Sequence, residues 1–347
     1  MSIIFRNSEF AILDEQKFYN QIFEDSSLKI QPELFEIHSK FMPDSQFEAI
    51  QKRGISNRKR KRETDKLSEE VTWIKNLVPK IQENGKSFGV FSERKVNFDN
   101  NLKARRAAEI ASKISIPSTS MSSNQIVEFS KYEKLDNLLC NGMISNWIRC
   151  TGNEASIIEN SENEKFFIPP GSTFHIGDVK EIEMYSELNE VMFDLVVADP
   201  PWFCQSVKRK KTYDMNEDVI DSLNISDLTS DDALIAFWIT NRKGIEEEMK
   251  SRFEKWNMEV IATWNWLKMT TQGQPVYDFD NEKHKVPFEK VLIAKKKTSG
   301  KEFNLPQEFV FARPLELFAR SLLPFTHSIG FEPILLQSEH VFIPVEQ

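Results

Sequence analysis

Cysteine is scarce in this 347-residue chain, and its pattern excludes two kinds of covalent support. The three cysteines, Cys140, Cys150 and Cys204, form no Cys-x-x-Cys pair. We therefore expect neither a disulfide framework nor a cysteine-ligated zinc site, and we predict no metal-binding residues. Such cysteine usage is typical of a reducing compartment.

Long apolar runs are missing as well. The longest, ALIAFWI at 233–239, has seven residues, whereas a membrane helix needs ~20. The N-terminal MSIIFRNSEF has no longer apolar core of the kind that a secretory signal carries. We therefore expect a soluble intracellular protein with no membrane partner.

An overall positive charge is absent too, since the formal net charge is −8. Net charge hides local patches, however. The segment 51–66 holds eight Lys or Arg against two acids, and its centre is RKRKR at 58–62. This cluster predicts nuclear localisation, with the cytosol and a simple solvated linker as the alternatives.

The composition otherwise supports a packed core, with 40% hydrophobic residues and 27 phenylalanines. From residue 165 onward, short apolar runs alternate with helical segments such as 243–256. We predict strands within 165–179, 193–201, 233–241, 258–268, 288–296 and 314–320. This alternation predicts an α/β fold whose largely parallel sheet is covered on both faces.

The first part of the chain has a different character. Apolar residues at helical spacing predict a helix over 64–83 that Pro79 must bend or end, and 102–114 favours a second helix. The polar stretch 115–125 is predicted as a linker. We therefore predict a mostly helical or partly disordered extension over 1–125 and a catalytic domain over 126–347 with its core at 165–345.

The most informative stretch is FDLVVADPPWF at 193–203. Asp199 follows a buried strand, and Pro200 and Pro201 contribute carbonyl groups but no N–H donors. With Trp202 as a plate beside them, these groups form an acceptor-only pocket that suits the exocyclic amine of adenine. Holding both amine hydrogens lets the nitrogen pyramidalise and attack an electrophilic methyl group.

This motif and several others resemble the adenine-N6 methyltransferase family, which includes the catalytic subunit of the messenger-RNA adenine methylation complex. The resemblance is strongest over 165–320 and closest to the methyltransferase-like protein 4 subgroup. It rests on DPPW at 199–202, WITNR at 238–242, WNWLK at 264–268 and LELFAR at 315–320.

The resemblance implies a class I, Rossmann-like methyltransferase that uses S-adenosylmethionine and has a permuted motif order. It implies three groups of site residues. The catalytic group is Asp199, Pro200, Pro201 and Trp202. The cofactor-binding group is Asp178, Val179, Asp199, Pro200, Glu316, Leu317 and Arg320. The basic loop after the motif predicts nucleic-acid contacts from Lys208, Arg209, Lys210, Lys211 and Tyr213.

The chain also departs from the family pattern. The segment between Lys297 and Leu315 is short and lacks the motif and helix that the family carries there, and the family's Gly-Asn pair becomes Gly330-Phe331. Losing a crossover helix before a parallel strand is expected to uncover part of the sheet. The base-binding half is therefore intact, while the cofactor-binding half departs from the pattern.

We predict an enzyme that methylates adenine N6 in nucleic acid, with DNA slightly favoured over RNA such as small nuclear RNA. An impaired isoform or pseudoenzyme that binds nucleic acid or acts as a scaffold is the main alternative. A small-molecule or protein-amine methyltransferase is the third. The sequence indicates no obligate protein partner.

Overall fold

The computed structural model describes most of the chain, in twelve stretches. They are 3–24, 28–32, 36–41, 68–92, 102, 121–139, 144–200, 202, 218–279, 286–303, 314–317 and 320–344. For 15, 121–124, 144–145, 218 and 314–317 only the main chain is described. No helix within these stretches is long and apolar enough to cross a membrane.

The described residues form strands and helices in a mixed order. The strands are β1 (Ile3–Arg6), β2 (Ala11–Leu13), β3 (Leu28–Ile30), β4 (Met121–Phe129), β5 (Tyr132–Lys134), β6 (Ile144–Cys150), β7 (Ser156–Glu159), β8 (Lys165–Ile168), β9 (Thr173–Ile176), β10 (Phe193–Ala198), β11 (Thr229–Ile239), β12 (Met258–Leu267), β13 (Phe288–Lys296), β14 (Pro314–Leu317), β15 (His327–Gly330) and β16 (Phe342–Pro344). The helices are α1 (Glu15–Ile22), α2 (Glu69–Ser87), α3 (Leu135–Leu138), α4 (Glu181–Asn189), α5 (Asp218–Ser222) and α6 (Ile245–Lys255).

The main sheet has nine strands in the order β12-β13-β11-β10-β14-β15-β9-β6-β4. The five adjacent strands β11, β10, β14, β15 and β9 run parallel to one another. On either side of them, β13 is antiparallel to β11 and β6 is antiparallel to β9. The predicted α/β fold with a largely parallel sheet is confirmed.

The apolar pattern explains why these elements form. In β10, Phe193, Val196 and Ala198 are fully buried and the other residues are half-buried, as expected for a strand covered on both faces. Helix α6 buries Ile245, Met249 and Phe253, which repeat every four residues on one face. Acidic residues fill its first turn and basic residues its last, which complements the helix dipole.

Clustering of contacts divides the chain into two compact units. The first comprises 1–19, 31–109 and 266–289, and the second comprises 20–30, 110–265 and 290–347. The second unit contains β3 of the N-terminal region, which pairs with β16 near the other end of the chain. The division at 125/126 between extension and catalytic domain stays a prediction.

Within the first unit, α2 packs on residues from the segment 266–289. Val71 and Ile74 of α2 form an apolar cluster with Phe279 and Phe288. The ring of Phe91 lies against two glycines. A Cβ atom added at Gly85 would be 2.1 Å from the nearest ring atom, and one added at Gly273 would be 2.7 Å from it. Glycine is therefore required at both positions for this packing.

Several segment predictions need correction. The stretch 165–179 forms two strands rather than one, with β8 in a separate three-stranded sheet and β9 in the main sheet. Residues 121–125 of the predicted linker belong to β4, which pairs with β6. Helix α2 runs past Pro79 to Ser87, so the proline does not end it. The described part of the extension contains the short strands β1, β2 and β3 beside the helices α1 and α2.

The connection from β13 to β14 has both of its described ends at one edge of the sheet. Because β13 is antiparallel to the central strands, Lys295 near its end lies in the same row as Leu234, Leu195 and Pro314, the first residue of β14. The two ends therefore both lie at the amino edge, separated by β11 and β10, a distance of about 14 Å. The 17 residues 297–313 between β13 and β14 can span roughly 56 Å when extended.

Candidate active site at the carboxyl edge of the sheet

The carboxyl ends of the five parallel strands meet at one edge of the sheet. The last shared row of register partners is Phe237, Ala198, Leu317, Ile329 and His175. Asp199 follows this row at the end of β10, and Asp178 follows it at the end of β9. These two carboxylate residues therefore lie at the same edge of the sheet.

The chain direction changes between β10 and β14. From β10 the chain proceeds to β11 on one side, and from β14 it proceeds to β15 on the other. In doubly wound sheets, ligands bind in the crevice at such a switch point, outside the carboxyl ends of the strands. Asp199 stands directly at this crevice.

Asp199 and Pro200 differ in their surroundings. Asp199 is exposed and Pro200 is buried. Because a proline has no N–H, the main chain here presents carbonyl oxygens to a ligand and no donor at Pro200. The exposed carboxylate and the acceptor-only main chain have the properties that the amine of adenine requires.

Trp202 does not have the surroundings predicted for it. Its side chain is 4% exposed and belongs to the core cluster. The indole Nε1 donates a hydrogen bond of 2.9 Å to the carbonyl of Trp238 in β11, and the ring makes an edge contact with Phe237. The ring thus anchors the motif to β11, and it has no open face on which a base could stack.

Asp178 and Val179 form the turn between β9 and α4. Asp178 is half-buried, and its Oδ1 accepts a hydrogen bond of 3.0 Å from the main-chain N–H of Lys180. The N–H of Gly177 donates to the carbonyl of Gly330 at the end of β15. The side chain of Val179 is 3% exposed and packs in the core, which leaves its main chain as the part available to a cofactor.

On the same side of the crevice as Asp178, Arg320 is exposed and forms an ion pair of 3.4 Å with Glu332, just after β15. Phe331 lies between Gly330 and Glu332 and is 46% exposed. An apolar ring and an ion pair therefore occupy the end of β15.

Other predicted site residues are only partly covered by the structure. Glu316 and Leu317 lie on β14, opposite Val197 and Ala198 of β10, which places their main chain beside the motif. Pro201 and the nucleic-acid group Lys208, Arg209, Lys210, Lys211 and Tyr213 lie outside the described residues, as does the basic cluster at 58–62. Their roles remain predictions.

Comparison with known proteins identifies the family. The MT-A70 family model matches residues 193–312. A Caenorhabditis elegans protein named DNA N6-methyl methyltransferase is 58% identical, over 97% of this chain and 98% of that protein. This chain belongs to the MT-A70 family. Its α/β fold is that of an S-adenosylmethionine-dependent methyltransferase, as predicted.

Other MT-A70 relatives match over shorter stretches. The N(6)-adenine-specific methyltransferases METTL4 of mouse and human are 29% and 30% identical, over 55% and 53% of this chain and 50% and 46% of their own lengths. The chain thus spans about half of these two proteins. The crystal structure of M1.HpyAVI is 15% identical with a TM-score of 0.35, over 48% of this chain and 95% of that one.

The MT-A70 match includes the strands on one side of the site and excludes those on the cofactor side. It begins at the first residue of β10 and ends two residues before β14. The motif strand, β11, β12 and β13 therefore lie inside the match, and the strands β14 and β15 on the cofactor side lie outside it. The worm alignment spans 361 positions, more than the 347 residues here, so that relative has residues with no counterpart in this chain.

Two features of the site were missed by sequence reasoning. One is the carbonyl of Trp238, which holds Trp202; no pattern in a single sequence identifies a main-chain acceptor on another strand. The other is the pair His175 and Glu181, whose side chains meet at 2.6 Å across the Asp178 turn. The only available signal was a histidine inside an apolar strand, which is not specific.

Proposed function

We propose that this protein transfers a methyl group from S-adenosylmethionine to the N6 amine of adenine in nucleic acid, with DNA as the favoured substrate. The observation that carries the proposal is the position of Asp199 and Pro200 at the end of β10, at the switch point beside β14. Membership of the MT-A70 family supports the same reaction.

In the proposed mechanism, the Asp199 carboxylate and a carbonyl of the proline segment accept the two hydrogens of the adenine amine. This frees the nitrogen lone pair, which otherwise is delocalised into the ring, for in-line attack. Trp202 fixes the motif through Trp238 rather than touching the base. As the N–C bond forms, the methyl–sulfur bond of the donor would break and leave a neutral thioether. The amine would then lose a proton, which the Asp199 carboxylate is positioned to accept.

The residues at this edge fit the cofactor. S-adenosylmethionine supplies the electrophilic methyl on a positively charged sulfonium and carries hydroxyl and amine donors. The carboxylates of Asp178 and Asp199 offer acceptors and negative charge at the ends of β9 and β10. We propose that Asp178, the main chain at Val179, and the β14 residues Glu316 and Leu317 hold this cofactor, together with Arg320.

The relatives' names favour DNA over RNA. The worm protein that matches this chain end to end is named for DNA, whereas the fungal relative named N6-methyladenosine RNA methyltransferase MTA1 is 30% identical over 42% of this chain. We propose that Lys208, Arg209, Lys210 and Lys211 contact phosphates, since backbone neutralisation dominates nucleic-acid affinity. Tyr213 is proposed to help hold a base removed from its stack.

A non-catalytic role is favoured by one observation. Phe331 exposes an apolar ring at the end of β15, where the resemblance implies a ribose-binding amide. A chain that binds nucleic acid but not the cofactor would account for this residue without any turnover.

Calorimetry with S-adenosylmethionine separates the two proposals. We expect the unaltered protein to bind S-adenosylmethionine saturably. We also expect it to methylate an adenine-containing DNA strand to a greater extent than an RNA strand of the same sequence. Binding of DNA without detectable cofactor binding at millimolar concentration would establish the scaffold role instead. Stronger methylation of the RNA strand would overturn the preference for DNA alone.

We also propose nuclear localisation through the cluster at 58–62. A fluorescent fusion of the full chain is expected in the nucleus. A variant with these five basic residues changed to alanine is expected to spread into the cytosol. An unchanged nuclear distribution of that variant would contradict this role.

A further inference from the structure

The segment that connects β9 to α4 carries a hydrogen-bonded pair of side chains. His175, on β9, is fully buried, and its Nε2 lies 2.6 Å from Oε2 of Glu181, the first residue of α4. Its Nδ1 lies 3.3 Å from the main-chain carbonyl of Asn146 in β6. Both ring nitrogens therefore face oxygen acceptors.

The two partners hold the imidazole at both of its nitrogens. The carbonyl belongs to the main chain of Asn146 in β6, and the carboxyl belongs to the first turn of α4. Removing either side chain of the pair leaves the other without this hydrogen-bond partner.

Packing holds the imidazole in one orientation. The indole of Trp147 stacks on it with ring centroids 5.0 Å apart, and the other neighbour of Trp147 is the ring of Tyr185, at 3.8 Å. A Cβ added at Gly177 would lie 2.4 Å from His175 Nε2. The ring therefore fills the space directly beneath the turn that begins at Gly177.

The pair brackets the Asp178 turn. His175 precedes Gly177, Asp178 and Val179, and Glu181 follows them, so the ring–carboxylate contact joins the two ends of the turn. Main-chain hydrogen bonds inside it, from Glu181 N–H to the Asp178 carbonyl at 3.1 Å and from Ile182 N–H to the Val179 carbonyl at 3.2 Å, are those of a helix start.

We propose that His175 and Glu181 are positioning residues that orient Asp178 toward the cofactor. The inference rests on the proposed function, in which Asp178 holds S-adenosylmethionine. The pair acts through the turn and touches neither substrate nor methyl group. Its loss therefore weakens cofactor binding selectively and leaves the base-binding side of the site unchanged.

The test compares His175→Gln and Glu181→Gln with the unaltered protein. We measure the Kd for S-adenosylmethionine by calorimetry, the Kd for an adenine-containing DNA strand by fluorescence anisotropy, and kcat and KM for the cofactor. Each variant is expected to raise the cofactor Kd and KM by about tenfold, the size of one lost charge-assisted hydrogen bond. The DNA Kd and the kcat at saturating cofactor are expected to change by less than about twofold.

Two further variants make the result specific. Glu254→Gln removes the α6 carboxylate that forms an ion pair with Lys297 and is expected to leave both affinities unchanged. The double variant His175→Gln/Glu181→Gln is expected to bind the cofactor no more weakly than the single variant with the larger effect, because the two residues act as one unit. If His175→Gln does not fold, the Glu181→Gln variant alone tests the inference, because the Glu181 side chain is 21% exposed.

The outcomes distinguish this inference from the proposed function. If the unaltered protein binds no S-adenosylmethionine, the proposed function is overturned and the inference with it. If it binds the cofactor but both variants bind equally well, only the inference is overturned. A parallel fall in cofactor and DNA affinity together with the melting temperature would show a purely structural pair and overturn the inference as well.

Discussion

The anchoring of Trp202 leads to a prediction that separates a structural role from a base-stacking role. Trp202→Phe keeps an aromatic ring but removes the Nε1–H that donates to the Trp238 carbonyl at 2.9 Å. Losing a buried hydrogen bond costs about 1 kcal/mol, and the smaller ring leaves space in the core that costs about 1 kcal/mol more. We therefore expect a loss of about 2 kcal/mol in the free energy of unfolding.

This loss is measurable by thermal and denaturant unfolding. A destabilisation of this size lowers the melting temperature by roughly 4–8 °C for a unit of 150–250 residues. Trp202→Ala, which empties the site, is expected to cost about 3–5 kcal/mol. Trp73→Phe is the matched control, because Trp73 is 48% exposed on α2, and it is expected to change stability by less than about 0.5 kcal/mol.

The catalytic readout follows from the same geometry. If the indole positions the motif, Trp202→Phe lowers kcat by roughly tenfold through misplacement of Asp199, and the Kd for DNA changes little. The reasoning is refuted if Trp202→Phe is as stable as the unaltered protein. It is equally refuted if the main effect of the variant is weaker DNA binding, which is what loss of a stacking plate would produce.

Three further changes test other parts of the account. Asp199→Asn is expected to leave the melting temperature unchanged, since Asp199 is exposed, and to lower kcat by about 10²-fold or more; a kcat within threefold of the original would contradict its role. Gly85→Ala is expected to destabilise by about 1–3 kcal/mol in denaturant unfolding because of the Phe91 ring, although helix propensity alone favours alanine, and a stabilised variant would contradict this packing. A side-chain hydrogen bond from Lys250 lowers the pKa of Glu246, so its stabilisation is present at neutral pH and is lost as the pH falls through the lowered pKa. Glu246→Gln is therefore expected to cost at most about 1 kcal/mol at pH 7 and progressively less in acid, and a cost that grows in acid would contradict the assignment.

Local apolar pattern was sufficient to predict β10, β11, β12 and β13 of the nine-stranded sheet. The stretches 193–201, 233–241, 258–268 and 288–296 each contain most of a strand, because buried strands need uninterrupted apolar residues. The carboxyl-edge position of Asp199 and Asp178 followed from the parallel arrangement. These predictions depend on properties of neighbouring residues, which a single sequence contains.

The pairing of strands that are distant in the sequence could not be predicted from local apolar pattern. Nothing in FEKVLIAKK at 288–296 distinguishes a parallel strand from an antiparallel one, and the antiparallel direction of β13 places its end at the same edge of the sheet as the start of β14. The polar stretch 121–125 becomes a strand through its pairing with β6. In both cases the partner strand decides the structure.

The environment of individual side chains was also not predictable. Trp202 was expected to stack on a base because it follows the motif, yet its burial depends on Phe237 and the Trp238 carbonyl of β11. The contact between His175 and Glu181 depends on the direction in which α4 continues from the turn. Tyr185 of α4 belongs to the same packed region, and its burial raises its pKa. Such contacts follow from tertiary packing and not from spacing.

The most direct test of the account is the product of the reaction. The full chain is incubated with an adenine-containing DNA strand and S-adenosylmethionine labelled on its methyl group, and the nucleosides are analysed by mass spectrometry after digestion. We predict labelled N6-methyldeoxyadenosine with the unaltered protein and a loss of about 10²-fold or more with Asp199→Asn. Cofactor and DNA binding without any methylated adenine, or undiminished product from Asp199→Asn, would contradict the account.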